Sequence, residues 1–483
     1  MTRIKHVFVL MLENRSFDHL LAFSGIPGLP PPPATLQKGP PDRLGRDPLH
    51  EFKDVHDQIA NGTMSGFSGD ELRGFDASAV PTIVALARNS LLFDTWFSSM
   101  PGPTWPNRLF AHAGSSAGLA DSLGDFDSAG AVVLPSRYIR MDHMHVFEQL
   151  TSRNNTWRIY RGDFFPQVLC LRGMVEIRAE KTRPIDDFAR DIAGNDVADY
   201  TFVEPDYDTT NHFARGNSQH PIGSVAAGED LIAYVHNTIF GSTVGDDSVL
   251  LITWDEHGGF YDHVAPGRAT PPGDAPLSRD RAPDDVAYAF DAFGVRVPAM
   301  LVSPWYPVGL ASRIFGGACF DHASIVSSLR ETFSLGGTLT ERDKAAPTWL
   351  SAESSRTRTV APLPARSRTT PKVRTSTPRI ADLQIAGPPS GTIMGFAQIA
   401  VDIDWDIAKR TSVAPLVTTQ FATALPASAQ YLDRHIRGEP LAQAPELTAR
   451  AHRTMLEYLA SVQAREVRYQ RSAARARPRS TRR

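Results

Sequence analysis

The sequence predicts an α/β protein: a mostly parallel sheet flanked by helices, followed by a small C-terminal extension. Two observations point there. From residue 1 to about residue 345, short apolar runs alternate with helical patterns and loops. The runs are also nearly uninterrupted apolar or β-branched stretches, as expected of strands covered on both faces. The clearest predicted strands are Ile4 to Leu12, Thr156 to Tyr160, Tyr200 to Val203, Ser248 to Trp254 and Val297 to Val302. Pro81 to Asn89 and His322 to Phe333 have helical spacing instead. Gly28 to Pro48 is rich in Pro and Gly and reads as loop, either an excursion near the site or a disordered insertion.

Composition shifts after Trp349. Residues 350–380 are dominated by Ser, Thr, Arg and Pro and read as a linker behind a catalytic domain of residues 1–349. Residues 381–464 read as a small accessory segment, with a strand near Ile393 to Val401 and helical spacing at Thr418 to Ile436 and Pro445 to Val462. Residues 465–483 form a basic tail, either solvated or in weak contact with an anionic surface.

The bulk numbers exclude some functions. With 50 Lys and Arg against 53 Asp and Glu among 483 residues, the net charge of −3 offers no general attraction for nucleic acid. The run Val7 to Leu12 is too short to span a bilayer and leads into acidic residues, so the sequence predicts neither a signal peptide nor a transmembrane segment, and a cytoplasmic protein unless another route exports it. Cys170 and Cys319 are too few for a disulfide framework or a cysteine zinc cluster, although one bridge between them stays open.

Chemistry concentrates at predicted strand ends. The first strand runs into Glu13 and Asn14, and Ser248 to Trp254 runs into Asp255 and Glu256. Carboxyl ends of strands are where α/β sheets build sites. Three carboxylates and an amide oxygen suit one divalent cation of hard or borderline character. Either acidic pair alone would equally serve as a helix cap or an ion-pair partner. Thr104 precedes Pro106, which suits the first turn of a helix entering Asn107 to His112. There Thr104 is either a nucleophile beside a helix terminus or simply its cap.

ENRSFDH at Glu13 to His19 resembles the opening motif of the bacterial phosphoesterase family, which includes phospholipases C and acid phosphatases. The resemblance continues through DVHDQ at 54–58, NGTMSGF at 61–67, PGPTWPNRLF at 101–110, EPDYD with the later His220 and Pro221, WDEHGGFYDHV at 254–264 and FDHAS at 320–324. It implies an alkaline-phosphatase-like fold and a metal-dependent hydrolase of phosphate esters, phospholipids among them, working through a covalent phosphothreonine. Thr104 takes the nucleophile's place. Glu13, Asn14, Thr104, Asp255 and Glu256 take the metal ligands' places, with the metal's identity open. Asn14, His56, His220 and His322 take the phosphate pocket's, and His257 follows the acidic pair. Asn14 stays compatible with either metal or phosphate, since its amide carries both an acceptor and donors. Imidazolium groups would bind the dianion and protonate the leaving alkoxide. His263 is expected to pair with Asp262 and orient the acids. Two other functions remain open: a broad-specificity acid phosphatase and, outside catalysis, a binder of phosphorylated ligands. A choline-ester preference would need an aromatic or acidic clamp, for which Trp105, Trp305 and Tyr261 are candidates.

Overall fold

The computed structural model describes residues 3–122, 144–208, 213–273, 288–354, 358–366, 371–372, 391–421 and 445–476. The apolar run near the N-terminus forms β1 (His6–Leu12), with Val7 through Leu12 all buried. After a two-residue ribbon of β2 (Gln37–Lys38) and β3 (Arg73–Gly74) come β4 (Leu91–Phe93), β5 (Trp157–Arg161), β6 (Thr182–Pro184) and β7 (Tyr200–Glu204). The set ends with β8 (Ser248–Trp254), β9 (Ala299–Val302) and β10 (Gly309–Leu310). Eight of these make one sheet in the order β10-β4-β9-β8-β1-β7-β5-β6. It is parallel except at β9, which runs against both β4 and β8. All five predicted strands are present, within a few residues of their expected ends.

β1 and β8 lie side by side at the centre, and their register sets the site. Leu12 pairs with Trp254, so the residues after each strand, Glu13 and Asp255, leave the same edge together. Helices cover the sheet because strands this apolar on both faces need cover on both. The predicted helices are Pro81–Arg88 and Ala323–Phe333, the latter with His322 as its N-cap.

The C-terminal extension differs most from expectation. Ile393 to Val401 is not a strand but part of a helix, Gly391–Thr411. Phe396, Ile399, Ala400, Ile403 and Ile407 are buried at helical intervals, and a short apolar run alone does not separate the two periodicities. The basic tail is helical as far as Ala476, in a helix that begins at Pro445. Residues 477–483, and most of the helical pattern predicted at Thr418 to Ile436, lie outside the described residues.

These two helices pair, and they share the main hydrophobic core with the sheet instead of forming one of their own. Phe396 meets the Trp105 ring edge-on at 5.4 Å and lies 5.2 Å from Tyr207. A side chain at Gly395 would collide with the Trp105 indole, so only glycine allows that approach. Arg178 donates to Asp406 at 2.6 Å and to Glu466 at 2.8 Å, fastening both helices to the α/β body. Part of the expected linker is docked as well. Leu363 exchanges two hydrogen bonds with the Asn237 side chain, and Arg366 pairs with buried Glu229. Residue 350 thus marks a change in composition, not the edge of a core.

Both cysteines are free, Cys170 buried and Cys319 exposed, so no bridge joins them. Among the described residues no helix is long and apolar enough to cross a membrane.

A chain ending at Leu350 should fold poorly, because it uncovers the faces of Trp105 and Tyr207 and leaves Arg178 without its two carboxylates. A melting temperature at least 10 °C lower, or loss of soluble protein, is expected. A truncated chain melting with the full-length protein would show that the helices are separable.

Candidate active site

At the end of β1 the chain turns sharply. Asn14 adopts a left-handed conformation (φ 58°), which Asn tolerates better than most residues. Its backbone N–H donates to Asp255 Oδ1 at 3.0 Å, tying the ends of β1 and β8 together. Its side-chain Nδ2 donates to Thr104 Oγ1 at 3.1 Å.

Thr104 opens the helix Thr104–Ala113, with Pro103 as the extended N-cap and Pro106 in the first turn. The turn before it is held by Asn107, whose Oδ1 accepts the Met100 N–H and whose Nδ2 donates to the carbonyls of Gly102 and Pro103. Thr104 is buried and does not cap the helix.

Arg108 lies one turn further along that helix. Its Nε donates to Asp255 Oδ2 at 2.8 Å, and its Nη2 to the carbonyls of Met11 and Leu12 at 3.1 and 3.0 Å. One guanidinium therefore fixes the Thr104 helix, the end of β1 and the first acid after β8 against each other. The sequence reading passed over it, although it closes the TWPNR stretch four residues after Thr104.

The acids are crowded and dry. Burial, then the nearby Asp255 charge, hold the Glu13 carboxyl well above its ordinary range. Burial pushes Asp255 up to about 6 despite Arg108. Gln167 Nε2 reaches Glu13 Oε1 at 3.4 Å, and the Gly258 N–H reaches Glu256 Oε2 at 2.6 Å. Glu13 Oε2, Asn14 Oδ1 and Glu256 Oε1 remain buried without a hydrogen-bond partner. Orphaned buried oxygens are costly, and carboxylate and amide oxygens are the donor types that a divalent cation takes. The carboxylates of Glu13, Asp255 and Glu256 do not, however, form one of the closed groups of metal-ligand atoms.

Two such closed groups, with ligand atoms within 4.8 Å of one another, occur among the described residues: Asp47 with His50 and His220, and Asp18 with Asp262 and His263. The second already holds a cation. Arg296 Nη2 donates to Asp18 Oδ1 at 3.0 Å and its Nε to Asp262 Oδ2 at 3.2 Å. His263 belongs to this network, but its Nδ1 pairs with Asp18 at 2.7 Å and not, as expected, with Asp262.

The first group adjoins the acids. Burial alone would depress His50, but Glu256, Asp47 and Glu51 outweigh it and push its pKa up to about 10. Burial and the Glu256 charge push Asp47 up to about 6. His220, stacked on Phe213 at 3.9 Å, stands 3.5 Å from Asp47 and 6.2 Å from the His50 ring. Its loop is pinned by Arg15, which donates to the carbonyls of Gln219 and His220.

The other predicted histidines take different places. His56 is exposed on the helix Phe52–Ile59, edge-on to Phe52, because Val55 and Gln58 occupy that helix's inner stripe. The buried histidine beside His220 is His50, which follows the Asp47-Pro48 turn ending the Pro-rich loop; that turn just ahead of a helix was the available signal. His322 donates through Nε2 to the Asp255 carbonyl at 2.6 Å while Nδ1 accepts from Trp96 at 3.3 Å. Burial lowers its pKa to about 4, so it is neutral near pH 7 and braces Asp255 from behind. His257 likewise sits behind Glu256, between it and Gln58 Oε1 at 2.8 Å. Of the proposed clamp aromatics, Trp105 lies beneath Phe396 and Trp305 is bound to the Asp246 carbonyl under Arg3. Tyr261 packs on Phe67.

A buried hydroxyl on a helix N-terminus, bridged by Asn14 to the strand-end acid Asp255, is equipment for hydrolysing phosphate esters. The chain belongs to the Phosphoesterase family, whose pattern matches residues 4–336. It is 31% identical over 388 residues to non-specific phospholipase C6 of Arabidopsis thaliana, covering 72% of this chain and 71% of that one. It is 25% identical over 396 residues to the non-hemolytic phospholipase C of Pseudomonas aeruginosa, covering 69% of this chain and 54% of that one. A solved alkaline phosphatase superfamily protein from Vibrio parahaemolyticus shares 9% identity over 72% of each chain, with a TM-score of 0.32. The protein is thus a phospholipase C-like hydrolase acting on phosphate esters.

Replacing Arg108 with Met should leave Asp255 as a buried charge without its cation, at a cost of about 3–5 kcal/mol. Adding Asp255→Asn should recover part of that loss, because the two effects are coupled. Denaturant unfolding of both single variants and the double variant checks it, and purely additive losses would deny the clamp.

Proposed function

We propose that the protein cleaves phosphate esters with the aid of a divalent cation, through a covalent phosphothreonine on Thr104. The observation that carries this reading is the Asn14 bridge. One amide donates to Thr104 Oγ1, while its own Oδ1, like Glu13 Oε2 and Glu256 Oε1, is buried and unpaired. A bound cation would supply positive charge at the phosphate and ease loss of the hydroxyl proton.

The chain's residues account for the remaining requirements. Thr104 Oγ1 attacks phosphorus as the ester oxygen departs, its own proton passing to solvent and replacing the one the imidazolium gives up, and the free amides of the first helical turn face the phosphoryl oxygens. The leaving alkoxide takes a proton from a nearby imidazolium. His50 suits that role because the Asp47 carboxylate grouped with it favours its charged form, and His220 beside it offers a second donor. Water then cleaves the phosphothreonine, restoring the threonine hydroxyl and releasing phosphate or its monoester. Asp255, Arg108 and His322 hold the geometry without touching the substrate.

Turnover of p-nitrophenyl phosphate and p-nitrophenylphosphorylcholine, each with and without chelator, tests the reaction and separates monoester from diester preference. Chelator should abolish both activities, and Glu13→Ala should leave the purified protein depleted of metal. Undiminished turnover in chelator would rule out the cation. Thr104→Val should fold normally, being an isostere, yet lose about three orders of magnitude in kcat. Near wild-type turnover, or phosphate trapped on another residue, would overturn the nucleophile.

A further inference from the structure

Glu204 ends β7, the strand that lies between β1 and β5, and its buried carboxylate caps the short helical turn Gln167–Cys170. Its Oε2 accepts the Gln167 N–H at 2.6 Å and its Oε1 the Val168 N–H at 3.0 Å. Amides at the start of a helical turn have no partners within it, so an acid there anchors the turn. Because β7 is hydrogen-bonded to β1, the anchor brings Gln167 within reach of the residue that follows β1, Glu13.

The Gln167 side chain has an acceptor end and a donor end, and its neighbours fix which way round they lie. Tyr207 Oη donates to Glu204 Oε2 at 2.9 Å and to Gln167 Oε1 at 3.3 Å, so the carbonyl end is turned toward the tyrosine. The donor end is left to Glu13, whose Oε1 lies 3.4 Å from Nε2. The reverse orientation would set an amide oxygen against a carboxylate oxygen, two acceptors with no proton between them. Tyr207 is confined in its turn, 5.2 Å from the Phe396 ring and 5.5 Å beneath the Arg108 guanidinium. Glu13, Gln167, Glu204 and Tyr207 are all buried.

The two oxygens of Glu13 therefore differ. Oε1 faces the amide donor, while Oε2 is buried with no hydrogen-bond partner. The Glu13 N–H is held by the Ser218 carbonyl at 2.8 Å, but a backbone bond does not choose between two oxygens that rotation about the last side-chain bond exchanges. A donor on one of them does.

We propose that Gln167 is a positioning residue that makes Glu13 a one-oxygen ligand: its amide, turned by Tyr207 and anchored through Glu204, holds Oε1 and leaves Oε2 for the cation. This rests on the cation site proposed above and adds what aims one of its acids. Groups that orient metal ligands in this way are worth about tenfold or more in metal affinity.

Calorimetric titration of Mn2+ into the metal-free full-length protein tests it, read beside the melting temperature of the metal-free protein. Gln167→Met keeps the length of the side chain and the backbone bond to Glu204 but offers Glu13 no donor, and it should weaken Mn2+ binding by about tenfold. Tyr207→Phe keeps the ring but releases the amide, and should weaken binding by a smaller factor. The double variant should bind no more weakly than Gln167→Met, because Tyr207 acts through Gln167. A lower melting temperature with unchanged Mn2+ affinity would show a merely structural role and overturn the proposal, as would losses that multiply in the double variant. Should Gln167→Met fail to fold, wild-type affinity in Tyr207→Phe overturns it equally. A wild type that binds no Mn2+ removes the cation site and this inference with it, whereas variants that bind as tightly as wild type remove this inference alone.

Discussion

The contact between Arg108 and Asp255 is the constraint on which the site depends. Crowding carboxylates at two adjacent strand ends is unfavourable, since each is buried and repels the others. A single guanidinium inside the cluster offsets part of that cost and uses its remaining donors on the last carbonyls of β1. Because Arg108 shares a helix with Thr104, the same contact that makes the acids tolerable also sets the hydroxyl's distance from them. Parallel register between β1 and β8 would bring Glu13 and Asp255 together without it, but would not bring Thr104.

The C-terminal helices extend this chain of dependence to residues distant in sequence. Trp105 follows Thr104 directly, and its indole is pressed by Gly395 and Phe396. Tyr207, on the other side of Phe396, hydrogen-bonds Glu204 at 2.9 Å and lies under Arg108 at 5.5 Å. The extension is thus packed against the back of the Thr104 helix and the back of the Arg108 clamp. A boundary drawn on composition could not show this: amid the Ser, Thr, Arg and Pro bias after Trp349 single apolar residues such as Val360 and Leu363 reach the core, while a helical apolar stripe begins at Phe396.

Much of the fold and some of the site were legible in the sequence, for physical reasons visible in particular residues. Strands buried on both faces have no alternation to confuse, so β1 and β8 stood out. ENRSFDH was legible because every residue in it is buried and committed to a contact. Ser16 caps the short helix that follows, Phe17 lies under the Arg296 guanidinium at 4.1 Å, and His19 stacks on Phe260 at 3.7 Å. Histidine roles were less legible, because a motif gives spacing but not the direction of a side chain. His56 sits on the outer face of its helix, His322 is occupied on both nitrogens, and His50 lies between the Pro-rich loop and the DVHDQ motif, where no motif marked it.

The two acid clusters near the end of β1 show what separates a structural network from a site. Asp18 and Asp262 have Arg296, backbone N–H groups and His263 on their oxygens, so the cation that balances them is built in. Glu13, Asn14 and Glu256 each keep one buried oxygen with no partner, although Arg108 lies close by. Arg108 Nη1 is itself buried without a hydrogen bond, so the shortage is one of reach, not of donors. A second internal arginine would have closed the cluster as Arg296 closes the other. Leaving those oxygens open costs stability, and such a cost persists where a ligand from outside the chain is meant to meet it.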